Sequence, residues 1–210
     1  MVQAQYASYA RNGGNIYANG GPIDGELELY EGNAETMSNN PYLPGQGETV
    51  MFRGPSHAEG GMDISYGGNP VEVEGGEPAM KLPDGQGGEN LTVFGDINIP
   101  NEYVSLLGDE RAKGKKFKKY VAELSRKEDS QTKILNKATD NIDAFKPSTS
   151  IDKLTFNSYK ANILGSNMKL KDIADKKMAA SELQKAINET ADQLGVEPNA
   201  MLKGRLKPNK

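Results

Sequence analysis

The chain has 210 residues, a formal net charge of −4, 24 Gly, 11 Pro, no Cys, no Trp and a single His, His57. The lack of cysteine excludes disulfides, thiolate catalysis and thiolate metal sites, and one histidine excludes the usual His-rich metal and triad arrangements, so no cofactor or metal is expected. With 36% hydrophobic and 7% aromatic residues the core is expected to be thin. The N-terminus lacks the basic-then-apolar pattern of a signal peptide, and no run approaches the ~18 apolar residues of a membrane-spanning helix.

The average charge conceals a split. Residues 1–110 carry three basic residues (Arg11, Arg53, Lys81) against 17 acidic ones, a net of −14, and hold 20 of the glycines and eight of the prolines. Residues 111–210 carry 22 basic against 12 acidic residues, a net of +10. Such asymmetry predicts contact with something charged or with the other half; two differently solvated surfaces are the plainer alternative. The composition divides the chain into an extended Gly/Asn/Tyr-rich arm (1–48), a small acidic β module (49–108) and a basic helical region (109–210). The fold class expected is α+β, and not one compact globule.

The arm begins with a segment that lacks apolar periodicity and carries spaced tyrosines, Tyr6, Tyr9 and Tyr17. Alone it buries too little to offset its ordering entropy. The tyrosines therefore suit assembly contacts, since each buries much area per ordered residue. Short β-type runs follow at Leu27–Tyr30, Thr49–Arg53, Met62–Tyr66, Val71–Glu74, Ala79–Leu82 and Leu91–Ile99. Val71-Glu72-Val73-Glu74 alternates apolar and acidic, as a strand with one buried face does. Gly75-Gly76 is expected to turn it back as a hairpin, Gly67-Gly68-Asn69-Pro70 and Pro83-Asp84-Gly85 mark further turns, and Phe94-Gly95-Asp96 predicts a bend. The whole reads as an antiparallel meander, marginal on its own at this size.

The densest signature is Gly54-Pro55-Ser56-His57-Ala58-Glu59-Gly60-Gly61-Met62. Ser56, His57 and Glu59 together invite a hydrolase reading. They are crowded within four residues, however, whereas a triad is assembled across a fold, and the Gly-x-Ser-x-Gly elbow is absent. No Lys-Ser/Thr follows the glycine pairs, so they form no phosphate loop. Pro55, Ser56, His57, Gly60 and Gly61 are better read as a tight loop closed by backbone hydrogen bonds.

Gly54–Met62, then Val71–Glu77 and Val93–Asp96, resemble a module in virion proteins of crAss-like tailed phages infecting Bacteroidetes. The resemblance covers roughly residues 52–130. It implies a virion-associated protein, a multi-copy component or packaged cargo of the portal–tail region or particle interior, and carries no catalytic residues with it. The partners implied are other virion proteins in a symmetric assembly.

From Arg111 the pattern turns helical. Phe117, Tyr120, Val121 and Leu124 form one stripe, with Arg126 and Lys127 closing the helix. Asp129 or Ser130 is expected to cap a second helix carrying Ile134, Leu135, Ala138, Ile142 and Phe145 and ending at Pro147. Ser150 is expected to cap a third, with Ile151, Leu154, Ile163 and Leu164 as its apolar set and Gly165 as its stop. Met168–Lys177 follows, and Ser181-Glu182-Leu183-Gln184 has the form of a capping box before a last helix that ends at Gly195. Narrow stripes of this kind predict a loose bundle or separate helices lying in grooves of an assembly.

Arg111, Lys113, Lys115, Lys116, Lys118, Lys119, Arg126 and Lys127 stand against only Glu123 in that first basic stretch. Such density suits non-specific, salt-dependent contact with DNA or with an acidic partner, and less well an anionic membrane. The function expected is that of a structural protein ordered by assembly, not an enzyme; non-specific DNA binding is the alternative.

Overall fold

The computed structural model describes residues 27–29, 32–43, 47–66, 69–83 and 89–205. Tyr6, Tyr9, Tyr17 and the turn at Asp84-Gly85 lie outside the described residues. The fold is α+β, as the two halves of the sequence require. Among the described residues all strand pairings are antiparallel, but they build two sheets rather than one meander. The larger sheet has the order β2(Asn33–Asn39)-β3(Glu48–Arg53)-β6(Pro78–Pro83)-β7(Glu89–Val93). The smaller has the order β1(Leu27–Leu29)-β4(Met62–Tyr66)-β5(Asn69–Val73). β1 and β2 thus fall within the interval read as an arm. Its Asn, Thr and Ser content conceals a strand whose pairing comes from β3.

Side-chain alternation on the larger sheet separates two cores, because successive residues of a strand face opposite sides. Phe52, Ala79, Leu91 and Val93 face the smaller sheet and pack with Met62, Ile64, Tyr66 and Val73. Met80 and Leu82 face the other way and join Phe94, Ile97 and Ile99 in a core shared with the helices. The layers therefore run sheet, sheet, helices. The segment after β7 contributes Phe94, Ile97 and Ile99 to this packing. A short 3-10 helix (Asn101–Leu107) buries Val104 and Leu107, and a second (Glu110–Ala112) buries Ala112. The charge boundary near residue 110 marks the change from strand to helix along the chain, but it does not divide the core.

The predicted helices fuse. α1 (Phe117–Ala144) runs 28 residues and α2 (Ser150–Leu194) runs 45, about 42 and 67 Å at 1.5 Å per residue; α3 (Pro198–Arg205) follows. Asp129 and Ser130 lie inside α1, and Gly165 and Ser181 inside α2, so the breaks expected at these positions do not occur, whereas the one before Pro147 does. A helical glycine costs only about 1 kcal/mol relative to alanine, too little to stop a helix whose C-terminal part is held by packing. The start of α2 is capped one residue before the position expected. Thr149 accepts from Asp152 N–H, while Asp152 accepts from Thr149 N–H at 2.8 Å. These bonds, with those from Ser148, hold the Asp152 carboxyl down to about 2. Gly195 ends α2 with φ 65°, the left-handed C-terminal position expected of it.

α1 and α2 are antiparallel: Phe145 meets Tyr159 edge-to-face at 5.9 Å near the tip, and Glu128 meets Lys177 at the base. The base is well packed, with Phe117, Val121, Leu124 and Leu170 essentially unexposed. The tip is not. Between Asp129 and Gly165 only Ala138 is buried.

Candidate functional site

The glycine-rich signature is a junction between the two sheets. Gly75 donates to Pro55 C=O at 3.0 Å and Gly76 to Phe52 C=O at 2.8 Å. A Cβ on Gly75 would lie 2.1 Å from Gly54 C=O, so two backbones cross where no side chain fits. Gly75-Gly76 consequently does not turn a hairpin; it carries the chain from β5 in one sheet to β6 in the other. The hairpin partner of β5 is β4. Ser56 closes the loop with Glu59: Ser56 N–H and Oγ both donate to the Glu59 carboxylate, at 2.9 and 2.7 Å. Gly61 N–H donates to Ser56 C=O at 3.0 Å. Pro55 is half-buried, Gly61 buried, and Ser56 and Gly60 exposed. The Ser56 hydroxyl proton is thus committed to a carboxylate that also serves as a loop cap.

Next to this junction, Glu77 is 1% exposed. Its Oε2 accepts from Glu74 N–H at 3.1 Å, and its Oε1 has no hydrogen-bond partner among the described residues. Burial pushes its carboxyl up from 4.5 to about 8, against the partial relief of the Glu74 N–H.

The basic stretch divides into paired and free charges. Arg111 forks onto Asp109 at 2.8 and 3.0 Å. Lys116 and Lys118 clamp Asp96 at 2.6 and 3.1 Å, and Lys115 pairs with Glu123. Burial would raise the Asp96 carboxyl, but the two lysines outweigh it and the net shift is downward. Lys113, Lys119, Arg126 and Lys127 form no ion pair with another described residue. Lys119, Arg126 and Lys133 recur every seven residues on the exposed side of α1, with Lys133 held by Asp129 at 2.7 Å.

Backbone groups at the end of β7 are held by two amides from the helices. Gln184 accepts from Gly95 N–H at 3.2 Å and donates to Val93 C=O at 2.8 Å. Asn199 accepts from Asn98 N–H at 3.1 Å and donates to Asp96 C=O at 2.8 Å. Gln184 therefore serves as a sheet clamp rather than as the end of a capping box.

The most polar part of the interior is centred on Lys177 and Glu128, both 0% exposed and ion-paired. Lys177 Nζ also donates to Thr49 Oγ1 at 2.8 Å and Ser38 Oγ at 3.4 Å. Ser38 Oγ and Asn40 Nδ2 donate to the two oxygens of Glu128. Asn40 Nδ2 also donates to Leu170 C=O at 2.9 Å, and Asn40 Oδ1 accepts from Tyr42 N–H at 3.0 Å. A β-bulge makes the arrangement possible. The register of β2 against β3 slips between Thr36 and Ser38. The extra residue reverses the parity of the strand, so Ser38 stands beside Thr49 on the helix face instead of facing the other sheet. Burial lowers the Lys177 ammonium from its usual range, and Glu128 opposes that shift.

Sequence reasoning missed this cluster, although a signal exists. Glu128 occupies the stripe position after Val121 and Leu124, and Lys177 the one after Ile173 and Ala174. Two opposite charges in apolar registers of neighbouring helices are the mark of a buried pair.

α2 has a further surprise. Ile151, Leu154, Leu164 and Met168, with Ala161 among them, form a stripe on the side opposite its buried one, and the four large residues are 63–75% exposed. Ile151, Leu154 and Leu164 were expected to pack; here they face outward. Among the described residues no cluster of three or more metal-binding side chains occurs, and no helix is long and apolar enough to cross a membrane. Comparison with protein-family models, curated proteins and solved structures finds no match to this chain.

Proposed function

We propose that this chain is a structural protein of a tailed-phage particle, a multi-copy component or packaged cargo of the portal–tail region, held in place through its two-helix tip. The observation that carries the reading is the second apolar face of α2, Ile151 to Met168, left exposed along about five helical turns. Large apolar residues clustered on one exposed face mark an interaction surface. The motif resemblance supplies the setting, and the tip supplies the means of contact. The reading assigns no reaction to Ser56, His57 or Glu59.

The test is incorporation into particles. A tagged chain should co-purify with phage particles, and Leu154→Asp with Leu164→Asp should abolish that while leaving the melting temperature within a few degrees. Absence of the wild-type chain from particles overturns the proposal.

The exposed Lys119 and Arg126, which form no ion pair with another described residue, favour a second reading, non-specific DNA contact. The four lysines and arginines already paired with carboxylates are discounted from it. Binding would then weaken steeply with salt, and lack of any DNA shift at low ionic strength would remove it.

A further inference from the structure

We infer that Lys177 and Asn40 become joined by an intramolecular amide bond, with Glu128 relaying the protons. The three side chains meet the requirements of such a self-made cross-link together. They are buried at 0–1% exposure, and the amine and the amide sit on the two oxygens of one carboxylate. A nucleophile and an electrophile are thereby gathered on either side of one general acid–base, Glu128, in a site where held geometry replaces a chance encounter. Each also comes from a different element: Asn40 follows β2, Glu128 lies on α1 and Lys177 on α2.

The chemistry balances without any co-reactant. Within the buried pair, Lys177 passes one proton to Glu128, giving a neutral amine and a neutral acid. The amine lone pair attacks Asn40 Cγ and the Nζ–Cγ bond forms. Negative charge gathers on Asn40 Oδ1, where the Tyr42 N–H already points at 3.0 Å and acts as an oxyanion donor. Glu128 delivers its proton to Nδ2 and collects one from Nζ; the Cγ–Nδ2 bond breaks and ammonia leaves. The products are a secondary amide, one ammonia and a neutral Glu128 acid, which suits a core that no longer holds a cation. Thr49 and Ser38 accept the remaining Nζ hydrogens beforehand and so orient the amine. The bond would tie the larger sheet covalently to α2 and close a chain loop of more than a hundred residues, a constraint of the kind that raises resistance to unfolding.

Mass spectrometry of the full chain decides the matter. The intact mass should fall below the sequence mass by one ammonia. A tryptic digest should contain one branched peptide joining the segments that hold Asn40 and Lys177. Asn40→Asp should lose one water instead, and Lys177→Arg should keep its full sequence mass. A wild-type chain at full sequence mass overturns the inference whatever the variants do. So does an ammonia loss that maps to a succinimide at Asn12-Gly13 or Asn19-Gly20.

Discussion

The same two helices live in two environments. At the base, Phe117, Leu124, Leu170 and Lys177 are covered by the sheet and by one another, and even the charges are paired in the interior. At the tip, Ile151 and Leu154 are 75% and 70% exposed, and what order there is comes from local devices: the Thr149–Asp152 cap and the Phe145–Tyr159 contact. Helical continuity is therefore no guide to continuity of the core. Helix propensity and capping carry the backbone past the end of the packing, and an apolar face can then be kept for a partner.

The largest expected effect separates base from tip. Glu128→Ala leaves the Lys177 ammonium buried without its counter-ion and removes the relay for the inferred cross-link, so it should cost at least about 3–5 kcal/mol, read as a fall in the urea midpoint. Leu164→Ala at the tip should cost less than about 0.5 kcal/mol. Comparable losses at the two sites would abolish the distinction.

A second, smaller effect concerns the sheet junction. The folded-state value of the Glu77 carboxyl, about 8, lies above the ordinary 4.5, so the folded chain holds the proton longer than the unfolded one. The contribution is full below pH 4.5 and is lost as pH rises from there through 8. Glu77→Gln should flatten this decline and stabilise the protein by up to a few kcal/mol above pH 8. Thermal melts across pH 4–9 would show it; an unchanged slope would deny that Glu77 is held in an apolar setting.

The smallest effect lies at the transition between the two regions. Gly165 is helical, and a Cβ there meets nothing within 4 Å. Gly165→Ala should raise stability by about 0.5–1 kcal/mol. A loss instead would mean that α2 must bend or be approached closely there when its outer face is covered.

Much of the fold was legible because local signals stand close to the residues they govern. The alternation in Val71–Glu74, the stripe Phe117–Leu124 and the helix stop at Gly195 all rest on periodicity or φ > 0 chemistry within a few residues. The failures share a cause as well. Gly75-Gly76 looks like a hairpin turn in sequence, and whether it reverses the chain or hands it to another sheet depends on the crossing with Gly54 more than twenty residues earlier. β2 carries too little apolar character to announce itself, since its pairing comes from β3.

What the sequence alone determined is the order of backbone types, the absence of thiol and multi-histidine chemistry, and a basic stretch beginning at Arg111. Tertiary structure decided which of those charges are paired, because the three carboxylates of Asp96, Asp109 and Glu123 engage four of the eight. It also decided which face of α2 is core. Two apolar stripes on one helix are equivalent in sequence, and only the position of the sheet distinguishes the buried one. Most of all it brought together Asn40, Glu128 and Lys177, from a low-apolar strand end and two basic helices. Nothing local links residues so far apart in the chain; a bulge, a sheet face and an antiparallel helix pair do.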